Sequence, residues 1–370
     1  MGVEDTRRMQ DDTKRTGIGR FTEALDSTGQ SRRSTTASDV AIRAGVSQSA
    51  VSRCFTPGAS VSERMRDRVM QAAQALGYRP NLIARSLITR RSGMIGVAVG
   101  SVAQHLYPGT LQALATRLQA EGYRILLFTA PPDGQADPAL EQIMAYQVDA
   151  LILAAATVSS QLATQCRAAG IPVVLYNRTV RGQAASSVTC TNRIAGTEIA
   201  ALFAAGGHRR PAFIAFDPSA STSRDRERGF REGCRTYGLP DPVIEVGAST
   251  DAGARQAMTA LLRRRDPPDA VFCAFDQMAI VALDVARYDF GLSVPRDVSI
   301  AGFDDTPPAA WPSYALTTYA QPVAAMVDAT VDLILEQLAD PRVRPRRIEV
   351  PGHLVLRQSC RLPASQEITP

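Results

Sequence analysis

The apolar positions fall into two textures along the chain. From Thr36 to Tyr78 they recur three and four residues apart, the spacing of amphipathic helices, in three pieces over 37–44, 48–55 and 63–76. Val40, Ala41 and Ala44 share one face of the first piece; Ala50, Val51 and Cys54 share one face of the second. Thr36 and Ser47 stand where these helices begin, Asp39 lies in a first turn and Gly45 between the two, the residue types that cap helices and turn a chain. A three-helix domain is therefore predicted over 35–78. Residues 1–34 are polar and mixed in charge without sustained periodicity, which predicts a disordered leader.

From residue 92 the pattern changes to short apolar runs alternating with amphipathic stretches. Strands are predicted at 94–100, 123–130, 148–156, 171–177, 211–216, 269–275 and 298–305, spaced widely enough for crossover helices such as 109–121 and 193–205. Parallel sheets covered on both faces are built this way. Seven such strands are too many for one small doubly wound sheet, so an α/β body of two lobes is expected over 92–361, joined to the helices by a linker at 79–91 and followed by a tail at 362–370. Ligands on such sheets bind beyond the carboxyl ends of the strands, which nominates 100–109, 177–182, 217–226, 275–277 and 304–312 as a pocket between facing lobes.

A chain of 370 residues exceeds what one core usually supports, in keeping with several domains. No apolar run reaches the roughly 18 residues of a membrane span, and a cytoplasmic protein is expected. Cys54, Cys166, Cys190, Cys234, Cys273 and Cys360 include no close pair, and His105, His208 and His353 are far apart, so neither a disulfide framework nor a metal site is predicted, and no cofactor. Buried free thiols are expected instead. Charge is uneven: residues 32–91 hold 11 arginines against Asp39, Glu63 and Asp67, a net of +8, while the whole chain carries +5. The basic character belongs to the small helical part, which points to a polyanion partner for that part.

The two short helices can fill a small core or present one helix outward. With Ala50, Val51 and Cys54 inside, Gln48, Ser49, Ser52 and Arg53 face out near the start of the second helix, where a helix-turn-helix reads base edges in the major groove. Glutamine suits adenine, arginine suits guanine or a phosphate, and serine is permissive. In its basic surroundings the stretch resembles the helix-turn-helix of the lactose-repressor (LacI/GalR) family of bacterial transcription regulators, whose form T-x-x-D-V-A-x-x-A-G-V-S-x-x-T-V-S-R is matched at Thr36, Asp39, Val40, Ala41, Ala44, Gly45, Val46, Ser47, Val51, Ser52 and Arg53. "VSERMRDRVMQAAQALGYRPNLIARSL" and "GFDDTPPAAWPSYALTTYAQP" extend the likeness from about residue 35 to 360.

The resemblance implies a helix-turn-helix domain followed by a two-lobed, periplasmic-binding-protein-like effector body, in a homodimeric repressor that binds double-stranded, pseudo-palindromic operator DNA. It implies that the segment 80–87 forms a hinge helix whose Leu87, with Ala84 beside it, wedges into the minor groove; packing between domains is the alternative. It implies a small-molecule effector lined by Leu106, Tyr107, Asn177, Arg178, Arg226, Asp304 and Gln321. Arg226 and Asp304 either face each other across the cleft to hold hydroxyl pairs or form a structural ion pair that closes the lobes.

Two departures bear on the ligand. "GAST" (247–250) stands where many sugar-binding relatives carry an aromatic, and Phe275 stands where the family usually has Asn. Phe275 either restores a stacking surface or points into the lobe's core. With Arg178 and Arg226 near, a sugar or sugar acid is expected. An enzyme is disfavoured because the body lacks a G-x-G-x-x-G turn, a P-loop or a histidine-rich cleft. A periplasmic binder would not carry residues 36–91. The tail "RLPASQEITP" has no leucine heptads, so a tetramer-forming coil is not expected.

Overall fold

The computed structural model describes residues 35–56, 58–80, 91–99, 105–129, 145–154, 160–180 and 185–362. The chain divides into two compact units, Met1–Leu82 and Ile83–Pro370. In the first, α1 (Ala37–Ala44), α2 (Gln48–Cys54) and α3 (Glu63–Ala75) surround a small core. Thr36 and Asp39 form a reciprocal capping box, Gly45 takes the left-handed conformation at φ 62°, and Ser47 Oγ accepts from Ala50 N at 3.2 Å. Val40 and Val51 are wholly buried with Val69 of α3, and Arg66 Nη1 donates to the Cys54 carbonyl at 3.1 Å, closing the end of α2.

The second unit contains two six-stranded sheets. In chain order its elements are β1 (Met94–Val99), α4 (Leu106–Ala120), β2 (Arg124–Thr129), β3 (Ala150–Ala154), α5 (Ser160–Ala168), β4 (Val173–Tyr176), β5 (Ser186–Cys190) and α6 (Asn192–Ala205). There follow β6 (Pro211–Ala215), α7 (Ser221–Thr236), β7 (Val243–Val246), α8 (Asp251–Leu262), β8 (Ala270–Cys273) and α9 (Asp276–Asp284). The last are β9 (Ser299–Asp304), β10 (Thr317–Ala320), α10 (Val323–Ala339), β11 (Arg347–Val350) and β12 (His353–Val355).

The first lobe has the order β11-β5-β4-β3-β1-β2 and the second β12-β10-β9-β8-β6-β7. All pairs are parallel except β10 with β12. The chain therefore passes between lobes three times, after β5, after β10 and between β11 and β12. All seven predicted strands are present among the described residues, with bounds within two residues of the predicted ones. The prediction missed β5, β7, β10, β11 and β12, and with them the threefold crossing. All six cysteines are buried, as expected.

The α6–α7 contact positions the cleft. A Cβ on Gly229 would lie 2.0 Å from the Arg193 carbonyl oxygen, and one on Gly196 would lie 2.5 Å from the Arg226 carbonyl oxygen. Glycine at both positions lets the two helix backbones touch. That approach carries Arg226, on α7, against Asn192, the first residue of α6.

Candidate effector cleft and nucleic-acid interface

In the first unit α2 buries Ala50, Val51 and Cys54 and exposes Gln48, Ser49, Ser52 and Arg53, as its pattern predicts. Ser49 Oγ is 2.9 Å from Ser47 Oγ, so the cap also orients one of the outward hydroxyls. Ala84 and Leu87 lie outside the described residues, as do 1–34, 100–104, 181–184 and 363–370.

In the second unit the candidate cleft lies where the carboxyl ends of strands from both lobes meet. Arg226, 2% exposed, donates from Nε to Asn192 Oδ1 at 2.8 Å and from Nη1 to the Ala274 carbonyl. Its guanidinium carbon lies 3.4 Å from the centre of the Phe303 ring, and Nη1 is 3.9 Å from Asp304 Oδ1. Gln321 Nε2 donates to Asp304 at 2.6 Å. Asp304 and Asp305 take φ values of 122° and 55°, a backbone turn that costs non-glycine residues energy and recurs at functional sites. Arg357 Nη2 holds Asp305 at 2.7 Å.

Both buried carboxyls here resist ionisation. Burial raises Asp304, with the Arg226 charge pulling it back. Burial, and next the Asp304 charge, raise Asp276 further, although it accepts from Thr306 N at 2.7 Å and Thr318 Oγ1 at 2.6 Å. Among the acidic groups Arg226 is opposed first by Asp304, whereas Arg178 is opposed by Asp217 ahead of Asp304.

From the first lobe, Tyr107 is buried in the first turn of α4, and burial pushes its phenol up while the Arg178 charge opposes that. Leu106 beside it is buried in the apolar core. Arg178 Nη1 donates to Thr222 Oγ1 at 2.8 Å, and Thr179 N donates to Ser221 Oγ at 2.9 Å. These two bonds join the lobes. Arg226 and Asp304, by contrast, both belong to the second lobe, which corrects the expectation that they face each other across the cleft or close it. Their neighbourhood follows from α7 and β9 lying on one sheet.

Phe275 precedes α9 and is buried edge-on against Phe216, with ring centres 5.5 Å apart, and Arg178 lies 5.4 Å from the Phe216 ring on the other lobe's side. The three form one layer at the carboxyl ends of β6 and β8. At "GAST" the chain turns instead of presenting an aromatic: Thr250 Oγ1 accepts from Gly253 N at 3.1 Å, capping α8, and Ala248 and Ser249 are exposed.

Four buried polar atoms here have no hydrogen-bond partner in the protein: Tyr176 Oη, Asn177 Oδ1, Ser223 Oγ and Gln321 Oε1. Of these residues, Asn177 and Gln321 were nominated by the sequence and Ser223 lies inside a nominated window. Tyr176, Phe216, Asn192 and Asp276 were missed as individuals. Tyr176 and Phe216 end apolar runs and read as strand; their place at a strand's carboxyl end was the available signal.

The description "Bacterial regulatory proteins, lacI family" matches residues 36–81, and a periplasmic binding protein-like domain matches residues 200–360. The transcriptional regulator CelR of Thermobifida fusca is 30% identical over 337 residues, covering 89% of this chain and 99% of that protein. The chain belongs to the lacI family of bacterial regulatory proteins. Another lacI-family relative, the regulator AscG of Escherichia coli (strain K12), is 29% identical over 89% of this chain and 99% of its own. The lac repressor dimer bound to operator and the anti-inducer ONPF shares the fold with a TM-score of 0.77 at 26% identity, over 88% of this chain and 99% of that one. A CelR–cellobiose complex aligns with a TM-score of 0.66 at 29% identity, over 88% and 99%. This lacI-family chain is thus a DNA-binding transcriptional regulator and not an enzyme, and among its described residues no helix is long and apolar enough to cross a membrane.

Proposed function

We propose that this regulator is a cytoplasmic, homodimeric repressor whose operator affinity is set by a sugar or sugar acid held in the cleft. The four unpartnered polar atoms carry the reading. Asn177 Oδ1 and Gln321 Oε1 are carbonyl oxygens that only accept, so the ligand must donate to them, whereas the Tyr176 and Ser223 hydroxyls can do either. A molecule dense in hydroxyls meets both demands, and leaving such atoms unpaired in a buried site costs about 1–3 kcal/mol each. The guanidinium groups of Arg178 and Arg226, set against Asp217 and Asp304 with Asp276 held towards neutral, suit a ligand with a densely hydroxylated or negative end. The Phe216–Phe275 layer supplies an apolar surface for a ring. The cellobiose held by the CelR neighbour is of the same chemical class.

On the DNA side, Gln48, Ser49, Ser52 and Arg53 read the major groove, and Ala84 and Leu87 are assigned to the minor groove. The lac repressor's operator complex supports a dimer on a two-fold site. A calorimetric panel of neutral sugars and their uronic and aldonic acids, run on the full chain, tests the cleft. At least one hydroxyl-rich compound should bind with micromolar to millimolar affinity and an acid should bind more tightly than its neutral parent. No binding across the panel, or preference for apolar or cationic compounds, would reject the effector class.

A further inference from the structure

The second lobe ends, away from its cleft, in a pole of arginines. β6, β8 and β9 run parallel with Pro211, Ala270 and Ser299 in register, so the segments that enter them meet at one end. Asp269 ties these segments together. Its carboxylate accepts from Arg209 N at 3.1 Å and Arg210 N at 2.8 Å, and its carbonyl accepts from Ser299 N at 2.9 Å. Arg210 Nε donates to the Pro267 carbonyl at 2.6 Å, and Arg361 N donates to Ser299 Oγ at 2.9 Å. The joined segments carry Arg209, Arg210, Arg263, Arg264, Arg265 and Arg361 against Asp266 and Asp269. Arg296 nearby is matched by Asp297 at 3.5 Å.

Arg209, Arg263, Arg264 and Arg265 are exposed and their side chains meet no carboxylate or carbonyl among the described residues. A cation at the end of α8 complements the helix dipole, which explains Arg263 but not its neighbours. Beneath them Asp269 also serves the inner cations: its Oδ1 lies 3.7 Å from His208 Nδ1 and its Oδ2 3.9 Å from Arg361 Nη2, so its charge is spent inside the junction and not on the outer arginines.

We propose that this pole is a second polyanion site, which takes the phosphodiester backbone of a DNA segment other than the operator. Protein partners are held by buried aromatic or apolar anchors, and none is exposed on 206–210, 263–269 or 359–361. A phosphate backbone needs only guanidinium groups, which grip it in pairs of bonds. Operator-bound protein would then hold two DNA segments at once, without reading the sequence of the second.

The test uses the full chain with labelled operator duplex in molar excess, so that the helix-turn-helix units are occupied, and beads bearing duplex without operator. The wild type should retain label on the beads at low salt. The triple variant Arg263→Ser, Arg264→Ser, Arg265→Ser should lose at least tenfold of that retention, keep operator affinity in solution within twofold, and lower the salt dependence of retention by about 0.9 in log–log slope for each phosphate contact removed. If the triple variant does not fold, the pair Arg209→Ser, Arg264→Ser, drawn from two loops, tests the same surface. Retention absent from the wild type, retention unchanged in either folded variant, or retention on poly-glutamate beads but not on DNA beads would overturn the proposal, the last in favour of an acidic protein.

Discussion

Arg226 makes its contacts on three sides, to Asn192, to the Ala274 carbonyl and to the Phe303 ring, and leaves its fourth towards Asp304 and the cleft. Its type and place were readable in the sequence. The partners were not, because they depend on two helix backbones touching at Gly196 and Gly229. Phe275 was open between pocket and core, and its edge-on packing against Phe216 puts it in the layer behind the cleft. Phe275→Asn should weaken ligand binding by about 1 kcal/mol or more through loss of that aromatic pair; calorimetry giving equal affinity would place the ring outside the ligand's reach. On the DNA side, Gln48→Ala should relax preference at one or two base pairs per half-site by about 1–3 kcal/mol each. Selection of binding sites from random duplexes would show this, and an unchanged consensus would remove Gln48 from base reading.

At the scale of elements, the helix-turn-helix was legible almost to the residue because caps and period agree there: Thr36, Asp39, Gly45 and Ser47 each do what their chemistry suggests. The missed strands fail the period test for physical reasons. β5 reads Ser-Ser-Val-Thr-Cys yet is fully buried, because Ser186 Oγ accepts from Gln337 Nε2 at 2.7 Å on α10 and from Arg346 N at 3.2 Å. β7, β11 and β12 lie at sheet edges and are only partly covered, so they need no apolar run. The α6–α7 contact gives a prediction at this scale. Gly229→Ala would drive a methyl into the Arg193 carbonyl and should cost about 1–3 kcal/mol, the usual range for overpacking, along with ligand affinity as Arg226 shifts. A thermal melt and ligand titration indistinguishable from wild type would show that the helices can part without consequence.

For the whole molecule, three passages of the chain between lobes and the two bonds from Arg178 and Thr179 make the cleft the natural place for a small molecule to bias the body's conformation. Stability should also depend on pH through His208. Burial, and then the Arg361 charge, push its imidazole down to about 4, with Asp269 opposing them and Phe203 packed on its ring. The unfolded chain takes up this proton near pH 6.5 while the folded one does not, so stability falls as pH is lowered from about 6.5 towards 4. His208→Gln should flatten that part of the denaturation profile; an unchanged slope would assign the loss to carboxylates alone.

On this mechanism cleft occupancy and operator affinity are one linked equilibrium. Fluorescence anisotropy of a labelled operator, titrated with the full chain with and without a saturating ligand from the panel, measures that linkage directly. Wild type should show a change in operator affinity of about 5- to 150-fold, which is about 1–3 kcal/mol of coupling. Arg226→Met should bind operator within twofold of unliganded wild type and show no ligand effect. A ligand that saturates the wild-type cleft and leaves operator affinity unchanged would show the two sites to be independent, and an Arg226→Met variant that responds as the wild type does would take Arg226 out of the linkage.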